Sequence, residues 1–175
     1  MAKCFIDCGA FTGDTCNLFM ERPEIFGVAD PTGYEIYAFE PGKQHWDFHF
    51  PDRVTLINKA AWTRDGRIAY AGGAGNQGAT VVADPDDFRG GLPTVECIDF
   101  DQWLERFEGY EEVIVKLDIE GAEFPVLEKL FASGRVGLIT RLFVEFHDQR
   151  FPNGAARRLA LLEAISDSGL PFREW

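Results

Sequence analysis

Short apolar runs separated by glycine, proline and acidic turns recur along the chain, and their spacing predicts strands alternating with helices. Residues 3–7 read as a short buried strand running into the turn at 9–13, with a helix over 15–21 that Pro23 stops. A second strand is expected over 34–39, a helix over 45–50 after Pro41, and a third strand over 53–58. Between residues 67 and 82, Gly72, Gly73, Gly75 and Gly78 sit between β-prone pieces at 67–70 and 79–82. That is the pattern of an irregular hairpin or flap rather than a core element. Residues 93–98 predict a further strand. Asp99 and Gln102 then open a helix as a capping box, and this helix carries Trp103, Leu104 and Phe107.

The last third is the most regular. A strand over 113–118 turns at Gly121 into a helix over 124–132, with Pro125 in its first turn and Gly134 at its C-terminal end. Residues 138–146 predict another strand. Residues 155–166 predict an amphipathic helix with Leu159, Leu162 and Ile165 on one face, and 171–175 can add one short strand at most. Strands alternating with helices imply right-handed βαβ units, hence an α/β fold with a doubly wound, mostly parallel sheet and helices on both faces. Ligands of such sheets bind outside the carboxyl ends of the strands, so the residues there carry the functional argument.

At 175 residues and 19.7 kDa the chain is expected to form one domain over 1–175, with the flap near 67–83. Seventeen basic against 29 acidic residues give a net charge of −12, which disfavours a nucleic-acid partner. No apolar run reaches the roughly 18 residues of a membrane span, and Asp7 comes too early for a signal peptide, so a cytoplasmic protein is expected. Cys4, Cys8, Cys16 and Cys97 lack the paired spacing of zinc sites and read as small buried hydrophobes in a reducing compartment.

At the first strand end, Asp7-Cys8-Gly9-Ala10-Phe11-Thr12-Gly13 opens with an acid and places glycines two and six positions later. This is not the Gly-x-Gly-x-x-Gly of dinucleotide sites. A carboxylate there repels pyrophosphate and attracts a cationic ligand carrying an amino group or sulfonium. Glu40, 33 residues on and followed by Pro41, closes the second strand, where an acid takes ribose hydroxyls. Taken alone it reads equally as a loop acid or helix cap. An acid for a cationic end and an acid for ribose together point to S-adenosylmethionine. Asp118 and Glu120 alternate along the fourth strand end, and Glu145 with His147 do so on the fifth. The plainer readings are that Glu123 favours a helix N-terminus, Lys116 pairs with a neighbouring acid, and His147 bonds Asp148 or backbone.

Asp7 to Thr15, Tyr37-Ala38-Phe39-Glu40-Pro41, the stretch 95–104, Lys116-Leu117-Asp118-Ile119-Glu120-Gly121-Ala122-Glu123 and Glu145-Phe146-His147 resemble, in order, the FkbM-type methyltransferase family. That family belongs to the class I, Rossmann-like, S-adenosylmethionine-dependent enzymes. The resemblance implies that Asp7, Gly9, Ala10, Phe11 and Gly13 surround the methionine part and ribose, and that Glu40 with Pro41 meets the ribose hydroxyls. It further places Ala61 and Trp62 near adenine, and Asp118 near the reactive methyl and the methionine amino group. Phe11 stands where the family often has Asn. The sheet is shortened at its C-terminal end relative to the family, which leaves room for a second subunit of a homo-oligomer to cover an edge. No metal is implied.

The expected reaction is O-methylation of a small hydroxyl-bearing acceptor of sugar or natural-product type. Asp118 or His147 would act as base, with Glu120 or Glu145 orienting the acceptor and the glycine-rich flap binding it. Two other classes stay open. One is an NAD-dependent oxidoreductase, which shares the Glu40 logic but not the glycine fingerprint; the other is a catalytically idle binding or assembly module.

Overall fold

A computed structural model describes residues 1–42, 50–71, 80–81, 93–150 and 153–175. Strands buried on both faces read as continuous apolar runs, and two such runs form the centre of the larger sheet: β1 (Lys3–Cys8) and β8 (Glu112–Leu117). Around them lie β2 (Tyr34–Phe39), β3 (Val54–Ile57), β9 (Arg141–Val144) and β10 (Phe172–Glu174) in the order β10-β9-β8-β1-β2-β3, every neighbouring pair parallel. In chain order this is the 3-2-1-4-5-6 arrangement of a Rossmann-like doubly wound sheet, whose order reverses at β1. A second sheet holds β4 (Ala60–Trp62), β7 (Thr94–Asp99), β5 (Gly66–Ala71) and β6 (Thr80–Val81) in that order.

Helices cover both faces. α1 (Asp14–Glu21) packs Phe19 on Phe5 with ring centroids 4.2 Å apart, and Phe26, Tyr34 and Phe143 complete that layer. On the opposite face α2 (Phe100–Leu104), α3 (Glu123–Ser133) and α4 (Gly154–Ser168) bury Trp103, Phe124, Leu127, Leu161 and Ile165. Alternation along β1 sends Cys4, Ile6 and Cys8 to this second layer and Phe5 to the first, so each strand serves two cores. The Asp99 carboxylate caps α2 through the Gln102 N–H, as the capping pattern predicts.

Three local expectations change. The strand expected over 138–146 is confined to Arg141–Val144, because Gly134 ends α3 in the left-handed region and Arg135–Leu138 winds on as a 3₁₀ turn. On α4 the buried pair is Leu161 and Ile165, about 40° apart on a helical wheel, and Leu159 is 68% exposed. The stretch expected as an irregular hairpin or flap does pair its arms β5 and β6 antiparallel, but it also contributes core: β5 pairs antiparallel with β7 as well, and Ile68 is fully buried. The glycines at 72–78 and the helix expected over 45–50, apart from Phe50, lie outside the described residues. All four cysteines are buried and free, and among the described residues no helix is long and apolar enough to cross a membrane.

Candidate active site

The larger sheet is parallel throughout, so the segments following β1, β2, β8 and β9 emerge along one edge. Backbone hydrogen bonds tie them together. The N–H groups of Gly9 and Ala10 donate to the Phe39 carbonyl at 3.0 Å, Asp118 donates to Cys8 at 3.0 Å, and Glu145 donates to Leu117 at 2.9 Å. Gly9 is required at this junction: its φ is 86°, and a Cβ there would stand 1.8 Å from the Asp118 carbonyl oxygen.

Glu40 fastens the β2 end to the same loop. Its Oε2 accepts from the Phe11 N–H at 2.9 Å and its Oε1 from the Gly42 N–H at 2.7 Å. Phe11 has φ 48° and Glu120 φ 59°, left-handed values that are strained for residues with side chains and that recur at functional loops. Glu40 is 5% exposed, and burial pushes its pKa up to about 7 even though both backbone hydrogen bonds favour the charged form; the Asp7 charge adds to the rise.

Asp7 and Lys116 are register partners across β1 and β8 and point to the same face. The Lys116 Nζ lies 3.4 Å from Asp7 Oδ1, as an ion pair without hydrogen-bond geometry, and 3.1 Å from Asp118 Oδ2. The Cys16 thiol approaches Asp7 Oδ2 at 3.5 Å, and the Trp175 ring stands 5.8 Å from Nζ. Burial raises the Asp7 pKa against the pull of Lys116 and Cys16. Burial also works against the Lys116 ammonium, but the carboxylates of Asp7 and Asp118 outweigh it and hold the pKa above its ordinary value. The Asp7 carboxylate is therefore enclosed beneath the loop rather than open at the edge, while Asp118 keeps a quarter of its side chain exposed.

His147 stands where the β8 and β9 segments meet. It is 6% exposed, with Nδ1 3.1 Å from Glu123 Oε1 and its backbone N–H donating to that same oxygen at 2.7 Å. Its Nε2 faces Glu120 Oε2 at 3.3 Å, Glu145 Oε1 at 3.8 Å and Asp118 Oδ1 at 3.9 Å. Burial lowers its pKa, yet the hydrogen bond its ring donates to Glu123 and the charges of Glu123, Glu120 and Asp118 more than reverse this and raise it. Glu145 is pushed up, first by burial and then by the Asp118 charge. Asp118, Glu120 and His147 bring one ligand-type atom each within 4.8 Å of one another, a spacing that would admit a cation. The two carboxylates are met here by Lys116 and Arg150.

The structure thus brings Gly9, Ala10, Phe11, Glu40, Asp118, Glu120, Glu145 and His147 to one edge, and Gly13 closes the loop against Phe50. Ala61 and Trp62 lie on β4 in the second sheet, Ala61 inside the core and Trp62 packed on the cluster of Ile68 and Cys97. A cavity of about 310 Å³ opens beside Pro41, lined by Ile57, Asn58, Lys59, Arg67 and Glu96 among others. Sequence reasoning missed Glu123 as an anchor and Arg150 as the partner of Glu120.

The sequence model of the Methyltransferase FkbM domain matches residues 7–167, a stretch that includes every residue of this edge cluster. The chain belongs to the FkbM methyltransferase family. None of the curated proteins and none of the solved structures compared with it matches. In this FkbM methyltransferase the string from Lys116 to Glu123 closes on itself: Lys116 bonds Asp118, Glu123 accepts from Gly121, and both Lys116 and Glu123 reach outward to other elements.

Proposed function

We propose that this methyltransferase moves a methyl group from S-adenosylmethionine to a hydroxyl of a small acceptor. One observation carries the reading: Asp118, Glu120 and Glu145 keep part of their side chains open at the strand-end edge, whereas the Lys116 ammonium is enclosed against Asp7 and Asp118. Such a surface suits a sulfonium, an ammonium and hydroxyls. It does not suit a pyrophosphate, which argues against a nicotinamide dinucleotide. The donor set therefore fits the proposed group.

When bound, S-adenosylmethionine would supply an electrophilic methyl group on sulfur. Glu40, held by the Phe11 and Gly42 N–H groups, would accept from its ribose hydroxyls, with Pro41 and the adjoining cavity beside the base. The backbone of Gly9, Ala10, Phe11 and Gly13 would curve around the methionine part, supported from below by Asp7. Asp118, with one oxygen on Lys116, has its other oxygen to offer the methionine amino group. His147 takes the acceptor proton at Nε2, and Glu120 and Glu145 orient the acceptor. Alignment of the two reacting atoms away from water supplies much of the remaining rate.

Calorimetric titration of the full chain with S-adenosylhomocysteine tests this. Binding is expected for the wild-type protein and is expected to be lost in folded Glu40→Ala. A wild-type protein that binds NAD and not S-adenosylhomocysteine would overturn the reading.

A further inference from the structure

Glu123 takes no part in the steps above, yet its carboxylate is fully enclosed at the first residue of α3. Its Oε2 accepts from the Gly121 N–H at 2.8 Å. Its Oε1 accepts from the His147 N–H at 2.7 Å and lies 3.1 Å from His147 Nδ1. A carboxylate that faces N–H donors on both oxygens serves as an acceptor, which assigns a hydrogen to Nδ1. The backbone contact fixes where His147 leaves β9, and the ring contact fixes its plane. Together they aim Nε2 at the gap bounded by Glu120, Glu145 and Asp118.

We propose that Glu123 is a positioning residue that holds His147 as the Nδ1–H imidazole, leaving Nε2 to accept the substrate's hydroxyl proton. This rests on the methyl-transfer reading above. In that step the acceptor oxygen bonds the methyl carbon of a sulfonium donor, and the carbon–sulfur pair passes to sulfur. The hydroxyl proton passes to Nε2, and the imidazolium so formed keeps its Nδ1–H on Glu123, which stabilises the charge without taking the proton.

Three other acids compete for the ring hydrogen. Glu120 stands 3.3 Å from Nε2, with Arg150 on the same carboxylate oxygen, and Asp118, itself bonded to Lys116, and Glu145 lie slightly farther off. Those three would draw the hydrogen to Nε2 if nothing held it at Nδ1. Glu123 is the group on the other side of the ring. Removing its acceptor is therefore expected to transfer the hydrogen, not merely to loosen the ring.

The test is long-range proton–nitrogen correlation of the full chain carrying nitrogen-15 in its histidines, with the pH raised until the ring-nitrogen shifts stop moving so that the ring is neutral. The chain has three histidines, and the His147 signals are those lost in His147→Gln. The wild-type protein is expected to show an Nδ1–H ring, and Glu123→Ala, which leaves no side-chain acceptor there and has its fold checked by circular dichroism, an Nε2–H ring. A wild-type Nε2–H ring overturns the proposal whether or not the variant folds, as does an Nδ1–H ring that persists in folded Glu123→Ala. Titrating the wild-type sample with S-adenosylhomocysteine judges the methyl-transfer reading separately, because the ring tautomer reports on Glu123 whatever that titration shows.

Discussion

Replacing Glu40 by glutamine should change how stability depends on pH. An ordinary glutamate has a pKa of 4.5, and burial holds Glu40 at about 7. The folded protein therefore keeps a proton on Glu40 over a range where the unfolded chain has lost it. Stability from this group is fully present below pH 4.5 and is lost as pH rises through about 7. At 1.36 kcal/mol per pH unit the gap corresponds to roughly 3 kcal/mol, with little screening because the side chain is enclosed. The substituted amide cannot ionise, and it offers one acceptor oxygen where the carboxylate offers two. The variant therefore also carries a constant loss as one backbone N–H goes unmatched. Urea unfolding of both proteins from pH 4.5 to 8 isolates the titrating part as a difference. The wild-type advantage should shrink by roughly 3 kcal/mol across that window and then level off. A difference that is flat from pH 4.5 to 8 would refute the reasoning: it would mean that the two backbone N–H groups offset burial in full. S-adenosylhomocysteine should have the opposite dependence, binding more weakly below about pH 7, because ribose hydroxyls need the ionised carboxylate.

Gly9→Ala should cost about 3 kcal/mol or more in urea unfolding and remove S-adenosylhomocysteine binding, because its Cβ would overlap the Asp118 carbonyl. Gly134→Ala, at φ 81° but in open space, should cost only about 1 kcal/mol, and equal losses at the two sites would show that the overlap is relieved. Lys116→Met leaves Asp7 enclosed with no cation and should lose roughly 3–5 kcal/mol. The double variant with Asp7→Asn should recover most of that loss, and strictly additive losses would count against the pair. Asp99→Ala removes the cap on α2 and the 2.6 Å bond to Lys129 and should lower stability by about 1–2 kcal/mol; an unchanged midpoint would sink that estimate.

The larger sheet was legible because its central strands are apolar on both faces, a local property that β1 and β8 show in six residues each. The second sheet was legible only as β-prone pieces, because β5 joins that sheet by pairing with β7 some 30 residues away as well as with the nearby β6, and no local pattern reports the distant partner. Leu159 shows the limit of helical periodicity: several leucines on α4 allow more than one apolar stripe, and packing chose the one centred on Leu161 and Ile165. The acids at the edge were visible from their positions after strands. What each acid does was not, because it depends on register and tertiary approach. Asp7 reads as an open carboxylate until β8 places Lys116 beside it. Glu123 reads as a favourable first-turn acid until the segment after β9 delivers His147. One signal was available: a glutamate opening a helix two residues after Gly121 can reach back to that N–H, which marks it as a side chain with an inward task.

The pairing of Asp7 with Lys116 sets more than the charge under one loop. Moving β8 by one residue relative to β1 would turn every β8 side chain to the opposite face. Lys116 would then enter the layer of Phe124 and Leu127 beneath α3, and Asp7 would be left facing an apolar neighbour. Slippage by a single position thus strands two charges at once, while the apolar residues of β8, interchangeable in kind, would lose little. The pair works as an alignment key. Because Gly9 and Asp118 follow these two strands directly, the contact between their backbones inherits its tolerance from a buried lysine rather than from the loops themselves.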